Sequence, residues 1–290
     1  MIDEASQIAF PDHAVQQTVR IERNEHVARD TYLLRFECPP IAERILPGQF
    51  IMLRLAHYDD PLLGRALALY DVVRDGQGRA IGLDVMYVTM GKLTRRLADL
   101  QPQQELEVWG PLGNGFAVEP SEHLVMVAGG IGQTPFLAMA KEHLGRETYG
   151  DPPRTPGSSP RVTLCYGARS AGHLAGVDDF QQLGVDVRIS TDDGSAGHHG
   201  FVTALLADLL ETERQGVKVY CCGPEPMMAA VAALAAQHEV PCRVSLESPM
   251  ACGLGICFSC VARVRDADGT WDYRRTCVEG PVFSAHQIEF

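Results

Sequence analysis

The chain has 290 residues, enough for two domains and a small third, and 46% of them are hydrophobic, as in ordinary globular proteins. The formal net charge of −12 argues against nucleic acid and anionic membranes as partners, because both select basic surfaces. The acidic start MIDEASQIAFPDH is unlike a signal peptide, and the apolar run MMAAVAALAA is too short for a membrane span of roughly 20 residues. We therefore expect a cytoplasmic protein.

Residues 15–117 have the pattern of a small antiparallel β barrel. Short strand-like runs are separated by Gly, Pro and Asp turns, and they read YLLRFEC, GQFIMLRLA, ALALYDVV, IGLDVMYVTM and LEVWGPLG. One helix-like stretch, KLTRRLADLQ, interrupts them.

Strands and helices alternate after residue 117. The strands have little polar alternation, as in a sheet covered on both faces, and they read HLVMVAGG, RVTLCYGA, VDVRISTDD, VKVYCCGP and CRVSLES. The helical stretches between them are QTPFLAMAKEHL, HLAGVDDFQQLG, FVTALLADLLETE and EPMMAAVAALAAQHE. This alternation predicts an α/β domain with a doubly wound parallel sheet over residues 118–241. Residues 242–290, rich in Cys and Gly, form a small third segment.

Three glycine-bearing loops at predicted strand ends indicate a dinucleotide site. VMVAGGIGQTPFLAMA joins the first strand of the sheet to a helix, YGARS follows the second strand, and CCGPEPMM follows the fourth. Glycine lets backbone N–H groups approach a pyrophosphate, and open α/β sheets bind ligands at the carboxyl ends of their strands. A tight turn that binds nothing is the alternative for the first loop alone. The predicted contacts are Gly129, Gly130, Gly132, Thr134, Pro135, Gly223 and Pro224.

Two aspartates end the third predicted strand of the sheet. Asp192 and Asp193, in STDDGS, would repel a 2′-phosphate and accept hydrogen bonds from ribose hydroxyls. This favours NAD over NADP. Paired aspartates beside a glycine are also common turn residues, so a purely local role is the other reading.

Four cysteines near the C-terminus have the spacing C-x4-C-x2-C-x16-C. Cys252, Cys257 and Cys260 match the plant-type [2Fe–2S] ligand spacing, and Cys277 supplies a fourth thiol. A structural zinc site is the rival, but zinc sites usually pair two short C-x2-C arms rather than three thiols in one loop. The spacing therefore favours an iron–sulfur cluster.

The motifs together resemble the ferredoxin–NADP reductase superfamily, in which a flavin barrel precedes a nicotinamide domain. That family holds its flavin with an Arg-x-Tyr-Ser/Thr strand; GRALALYDV keeps the arginine but has Leu67 and Ala68 at the aromatic and hydroxyl positions. PGQF and GPLGNGF resemble other barrel signatures, and MYVTMGKLTRRL resembles the second flavin segment. A Gly-Lys-x-Thr start can also be simple helix capping. The FAD contacts that the resemblance implies are Arg65, Ala66, Leu67, Ala68, Met86, Tyr87, Val88, Gly91, Lys92, Leu93 and Thr94.

The C-terminal segment narrows the resemblance to the electron-transfer subunits of NAD-dependent dihydroorotate dehydrogenases. The match runs from about residue 15 to the end, and SLESPMACGLGICFSCVARV and CVEGPVF are its most specific parts. It implies FAD, NAD and a [2Fe–2S] cluster held by Cys252, Cys257, Cys260 and Cys277. It also implies an FMN-containing catalytic partner in a heterotetramer, in pyrimidine biosynthesis.

The resemblance also bears on two residues near the nicotinamide and leaves two other functions open. Cys222 stands where the reductase family has a cysteine beside the nicotinamide, although simple packing explains it equally well. Glu247 is as consistent with a surface acid as with a flavin-side contact.

We find no Ser-His-Asp set, carboxylate pair or His-rich metal site, so we expect no catalytic side chain of those kinds. A flavin subunit of another NAD-linked complex, such as a cytoplasmic hydrogenase, and a zinc-stapled nucleotide-binding protein without redox activity are the alternatives.

Overall fold

The first described part of the chain is a closed six-stranded barrel. The structure is a computed structural model and describes residues 11–290; residues 1–10, on which the expected lack of a signal peptide mainly rests, lie outside the described residues. The strands are β1 (Val15–Ala28), β2 (Thr31–Glu37), β3 (Phe50–Leu55), β4 (Arg65–Arg74), β5 (Ala80–Val88) and β6 (Glu105–Leu112), joined in the order β1-β2-β5-β4-β3-β6. All pairs are antiparallel, which confirms the predicted barrel.

Apolar residues that alternate along the strands fill the barrel. Val19 and Ile21 of β1 point inward between exposed polar neighbours and pack with Leu34 and Phe36 of β2. The short helix α1 (Pro39–Ala42) closes one end, and α2 (Lys92–Ala98) lies between β5 and β6. Leu93 and Leu97 of α2 are fully buried in the same core, so this helix is anchored to the barrel by its apolar face.

A sheet with helices on both faces follows the barrel. Its first six strands are β7 (His123–Gly129), β8 (Arg161–Ala168), β9 (Asp186–Thr191), β10 (His198–His199), β11 (Val217–Cys222) and β12 (Cys242–Ser245). They pair in parallel in the order β10-β9-β8-β7-β11-β12. The helices are α3 (Phe136–His143), α4 (Val177–Gln182), α5 (Val202–Thr212) and α6 (Glu225–Gln237). The predicted doubly wound architecture is confirmed, and the strand order reverses between β7 and β11, where such sheets bind ligands.

The C-terminal segment is an excursion from the edge of this sheet. After β12 the chain forms the cysteine loop and a hairpin of β13 (Val261–Arg265) and β14 (Trp271–Arg275). It then returns as β15 (Val282–Ser284), which pairs antiparallel with β12. The third segment thus shares the sheet of the second. The predicted boundaries at residues 117 and 241 stay predictions.

Polar contacts join the barrel to the sheet domain. The hydroxyl of Tyr70, on β4, donates to the carboxylate of Asp179, on α4, at 2.5 Å. The ammonium of Lys141, on α3, bonds the carboxylate of Asp71 at the same distance. Over residues 11–290, no helix combines the length and the apolar character needed to cross a membrane.

Candidate functional site

A cleft of about 840 Å³ lies where the barrel, the sheet domain and the C-terminal segment meet. This volume is in the usual range for small-molecule sites. Many of the predicted site residues line it together, although they come from both the barrel and the sheet domain. They are Arg65, Ala66, Leu67, Ala68, Met86, Tyr87, Val88, Gly91, Thr94, Thr134, Pro135 and Cys222. The cleft therefore brings the predicted flavin and nicotinamide residues to one place.

Strand β4 presents two alanines to the cleft. Leu67 packs in the barrel core, so the neighbouring Ala66 and Ala68 lie on the opposite face of β4. These alanines offer only methyl groups and backbone to a ligand, so any polar contact from these two residues must use their N–H and C=O groups. The guanidinium of Arg65 bonds the Gly64 carbonyl at 2.9 Å and lies beside Gly91, which gives this end of the cleft a positive charge.

In the Gly-Lys-x-Thr segment, residues 91–94, two residues line the cleft and two make contacts elsewhere. The hydroxyl of Thr94 accepts hydrogen bonds from the N–H groups of Met90 and Gly91 at 3.0 and 3.1 Å, so it caps the start of α2. Lys92 forms an ion pair with Asp60, and Leu93 is buried in the barrel core. Lys92 and Leu93 therefore do not line the cleft, and their contact with FAD stays a prediction.

The loops after β7 and β11 pack backbone against backbone at the reversal of the strand order. A Cβ on Gly132 would lie 2.6 Å from the carbonyl carbon of Cys222 and 2.8 Å from the nitrogen of Gly223. Only glycine permits this approach. Gly130 has a φ of +56° and open space where a Cβ would stand, so its backbone is accessible. Of this predicted set, Gly129, Gly130, Gly132, Gly223 and Pro224 form the loops beside the cleft rather than its wall.

The two aspartates after β9 differ in their contacts. The carboxylate of Asp193 accepts hydrogen bonds from the N–H and hydroxyl of Ser195, at 3.0 and 2.5 Å, which lowers its pKa. Asp193 is therefore engaged in turn formation, the local role that the sequence left open. Asp192 is exposed beside it. Its backbone N–H donates to the carbonyl of Ala168 at 3.0 Å, but within the described residues its carboxylate has no such contact. Its carboxylate is the one accessible to a nucleotide.

Cys222 and Glu247 face each other across the cleft wall. The Cys222 sulfur lies 3.9 Å from a carboxyl oxygen of Glu247, and both residues line the cleft. Burial raises the pKa of the Cys222 thiol well above its usual range, so the thiol stays protonated. Desolvation by the surrounding protein raises the pKa of the Glu247 carboxyl, although the residue as a whole is exposed. Glu247 is thus an exposed acid on the cleft wall.

The four cysteines of the C-terminal segment are arranged as two pairs. Ser259, and after it Cys252, lowers the pKa of Cys257 to about 6, and the Cys277 thiol lowers the pKa of Cys260 to about 6. These influences make Cys252 and Cys257 one pair of neighbours and Cys260 and Cys277 the other. Within the described part of the chain, no three His, Cys, Asp or Glu side chains converge on one metal position.

Two pairs of thiols fit a [2Fe–2S] cluster, because each of its two irons takes two cysteine ligands. The same loop also forms part of the cleft, since Ala251 and Ser259 line it. The indole N–H of Trp109 donates to the Cys252 carbonyl at 2.9 Å and ties the loop to the barrel. The cysteine loop is therefore adjacent to the cleft.

Three family models match the chain in series. They describe an oxidoreductase FAD-binding domain over residues 18–116, an oxidoreductase NAD-binding domain over 126–233, and the iron-sulfur cluster binding domain of dihydroorotate dehydrogenase B over 247–289. The dihydroorotate dehydrogenase B (NAD(+)) electron transfer subunit of Desulforamulus reducens is 34% identical and is aligned over 90% of this chain and 94% of its own length. The chain belongs to this family of electron transfer subunits. The subunit of the same name from Shouchella clausii is also 34% identical, over 94% of this chain and 98% of that one.

Two solved structures are similar to this chain in fold. An NADH-dependent reduced ferredoxin-NADP oxidoreductase, solved in work on flavin-based electron bifurcation, has a TM-score of 0.77 at 26% identity and covers 93% of this chain and 89% of that one. A ferredoxin NADP+ reductase from Neisseria gonorrhoeae with bound FAD and NADP shares the fold, with a TM-score of 0.63 at 17% identity over 77% of this chain and 91% of that one.

Membership of the electron transfer subunits confirms several predictions made from the sequence. The chain is an NAD-linked oxidoreductase component with FAD, NAD and [2Fe–2S] cofactors. The zinc-stapled alternative is not supported, since the family model over the cysteine loop is an iron–sulfur domain. Sequence reasoning missed other residues on the cleft wall, among them Phe50, Met90, Met250 and Pro281. All four lie within the quoted signatures, so those signatures were the available signal.

Proposed function

We propose that the cleft holds the flavin of FAD, with the nicotinamide of NAD(H) entering beside β7 and β11 and the cluster on the opposite side. The observation that carries this proposal is that one cleft is lined by residues of the barrel, the sheet domain and the cysteine loop. FAD held there would supply a carrier able to exchange a hydride with NAD(H) and single electrons with a [2Fe–2S] cluster, and so would link two-electron and one-electron carriers. The protein's task is to hold the three groups in that order.

The barrel residues of the proposed site bind FAD mainly through backbone and one fixed charge. Arg65, beside Gly91, supplies a positive charge for the FAD pyrophosphate. Thr94 keeps the start of α2 in shape by capping it. Lys92 joins the pyrophosphate only after it leaves Asp60. The remaining members of this set are Ala66, Leu67, Ala68, Met86, Tyr87, Val88 and Leu93.

The sheet domain of the proposed site binds and orients NAD(H). The accessible backbone of Gly130 meets the pyrophosphate, and Asp192 accepts from a ribose hydroxyl. Because the Cys222 thiol stays protonated, it packs against the nicotinamide and does not react with it. Glu247 fixes the position of that thiol. The other members are Gly129, Gly132, Thr134, Pro135, Asp193, Gly223 and Pro224.

We propose that the exposed side of the cysteine loop docks the catalytic subunit of a dihydroorotate dehydrogenase. Cys257 is exposed and stands between Ile256 and Phe258, which are 75% and 62% exposed. Apolar side chains that are exposed to solvent around a redox group are typical of a surface that contacts another protein. The partner contains FMN, oxidises dihydroorotate in pyrimidine biosynthesis and forms a heterotetramer with this chain. A cytoplasmic location follows from the need for NAD(H) and reduced thiols.

The proposed function has two parts that can be tested separately: flavin reduction by NADH and electron transfer from the catalytic subunit. We expect NADH to bleach the flavin of the purified chain in anaerobic stopped flow, while dihydroorotate alone leaves the flavin oxidised. Addition of the catalytic subunit is expected to make NAD⁺ reduction depend on dihydroorotate. Bleaching by NADH without any coupling to that subunit would instead favour another NAD-linked complex, such as a cytoplasmic hydrogenase.

Nucleotide preference tests the role of Asp192. We expect Asp192→Asn to raise kcat/KM for NADPH relative to NADH by about tenfold or more, because a unit charge pair at 4 Å is worth ~1 kcal/mol in water and ~4 kcal/mol at a dielectric of 20. Asp193→Asn is the comparison at the other aspartate of the set, and it should change the ratio less, because the Asp193 carboxylate is already held by Ser195. Equal ratios in both variants would mean that Arg169, which follows β8 in the YGARS loop, or another base governs the 2′ position.

A further inference from the structure

A buried glutamine joins the loop after β7 to strand β5 of the barrel. Gln133 ends the helical turn Gly130–Gln133 and is 0% exposed. Its Nε2 donates to the sulfur of Met86 at 3.2 Å. Within the described residues its Oε1 has no hydrogen-bond partner. A buried amide with an unpaired oxygen destabilises a fold, so packing alone does not account for a glutamine at this position.

Met86 is a barrel residue whose side chain enters the sheet domain. It lies on β5 and packs with Phe136 and Ala175 in a core that the barrel and the sheet domain share. Its terminal methyl group lies 3.5 Å from the position that a Cβ on Gly176 would take, just before α4. Met86 also lines the cleft. The partner of the Gln133 amide is therefore a side chain at the junction of the two domains and the cleft.

The turn that ends at Gln133 also belongs to the proposed nucleotide site. Gly130 and Gly132 precede Gln133, and Thr134 and Pro135, which line the cleft, follow it. Its backbone neighbours are thus on the nicotinamide side of the cleft, whereas its side chain bonds a strand on the flavin side. This hydrogen bond is a direct link between the strand proposed to hold the flavin and the loop proposed to hold the nicotinamide.

We propose that Gln133 is a positioning residue for hydride transfer between nicotinamide and flavin. The reaction moves one hydride, which is two electrons and one proton, from NADH to the oxidised flavin. A misplacement of about 1 Å can slow such a step by about a hundredfold. By holding Met86, Gln133 keeps the nicotinamide loop at a fixed distance from the flavin strand. The inference rests on the proposed placement of both rings in the cleft.

The test measures anaerobic flavin reduction at saturating NADH in Gln133→Leu, which keeps most of the side-chain volume and removes the amide. We expect the rate constant for reduction to fall by about tenfold, because the loop is no longer held to β5. The affinity for NAD⁺, measured by titration, should change by less than about threefold, since nucleotide contacts are kept. FAD content should equal that of the wild type, and the Tm should not fall, because an unpaired buried oxygen is removed. A wild-type rate constant would overturn the proposal.

Gln17→Leu is the matched control for this substitution. Oε1 of Gln17 accepts a hydrogen bond from the Cys38 thiol at 3.1 Å, so this variant also removes a contact between a glutamine amide and sulfur. Gln17 lies on β1 and does not line the cleft. Its variant should reduce its flavin at the wild-type rate. Equal slowing in both variants would overturn the proposal, because the effect would then not depend on the link to the nucleotide loop.

Met86→Leu breaks the same hydrogen bond from the other side. We expect each single variant and the double variant to be about tenfold slower than the wild type, because the second substitution removes nothing further. A loss of about a hundredfold in the double variant would mean two independent effects and would overturn the proposal. If Gln133→Leu loses its FAD, Met86→Leu decides alone, and a wild-type rate constant in it would overturn the proposal. A wild type whose flavin NADH does not reduce would instead contradict the proposed function.

Discussion

Cys257→Ser protein is expected to be yellow rather than brown, because it keeps FAD and loses the [2Fe–2S] cluster. Cys257 is exposed on the cysteine loop and does not line the cleft, so its loss leaves the flavin surroundings unchanged. The barrel and the sheet domain also have their own apolar cores. We expect flavin reduction by NADH to persist within about threefold, while electron transfer to the catalytic subunit stops.

Iron and sulfide analysis, flavin content and anaerobic stopped flow measure this result. Cys242→Ser is the matched control, because Cys242 is a half-buried cysteine that packs against the sheet core and belongs to neither pair. That variant should keep both cofactors. Loss of FAD together with the iron in Cys257→Ser would show that the flavin cleft depends on an intact cysteine loop.

Gly132→Ala is expected to abolish most NADH-dependent flavin reduction while leaving FAD in place. The new Cβ would collide with the backbone of Cys222 and Gly223, which cannot swing aside as a flexible side chain can. The loops after β7 and β11 must then separate, and the nicotinamide position is lost. We expect kcat/KM for NADH to fall by about a hundredfold, equivalent to about 2.7 kcal/mol in the barrier.

Gly76→Ala provides the matched control for this substitution. Gly76 lies in an exposed turn of the barrel, with nothing near the position of the new methyl group. Its variant should have wild-type kinetics and flavin content. If Gly132→Ala reduced its flavin at the wild-type rate, the packing of the two loops would have no part in NADH binding.

The local hydrophobic pattern of the sequence predicted most strands and helices, and the strands that it missed have physical reasons. β1 was not among the predicted runs, because its polar side chains hide the alternation of Val19 and Ile21. The antiparallel pairing of β15 with β12 could not be predicted, since three residues carry little pattern and their partner lies far back in the chain.

The candidate site was predictable where chemistry depends on spacing along the chain. The four cysteines are of this kind, because a short loop must supply three of them. Partners that are distant in sequence were not predictable. The ion pair of Lys92 with Asp60 and the contact of Cys222 with Glu247 exist only once the fold brings these residues together.

The pairing of β15 with β12 has a consequence for how a cluster can be added to a flavoprotein. The two ends of the excursion between these strands lie on neighbouring strands, only about 5 Å apart. The pairing of these two strands therefore closes the loop, so cluster binding does not have to offset the entropic cost of loop closure. A segment inserted in this way can lengthen, shorten or lose its metal while the sheet keeps its order. The iron–sulfur segment can thus be added to a two-domain reductase without changing the strand order of its sheet.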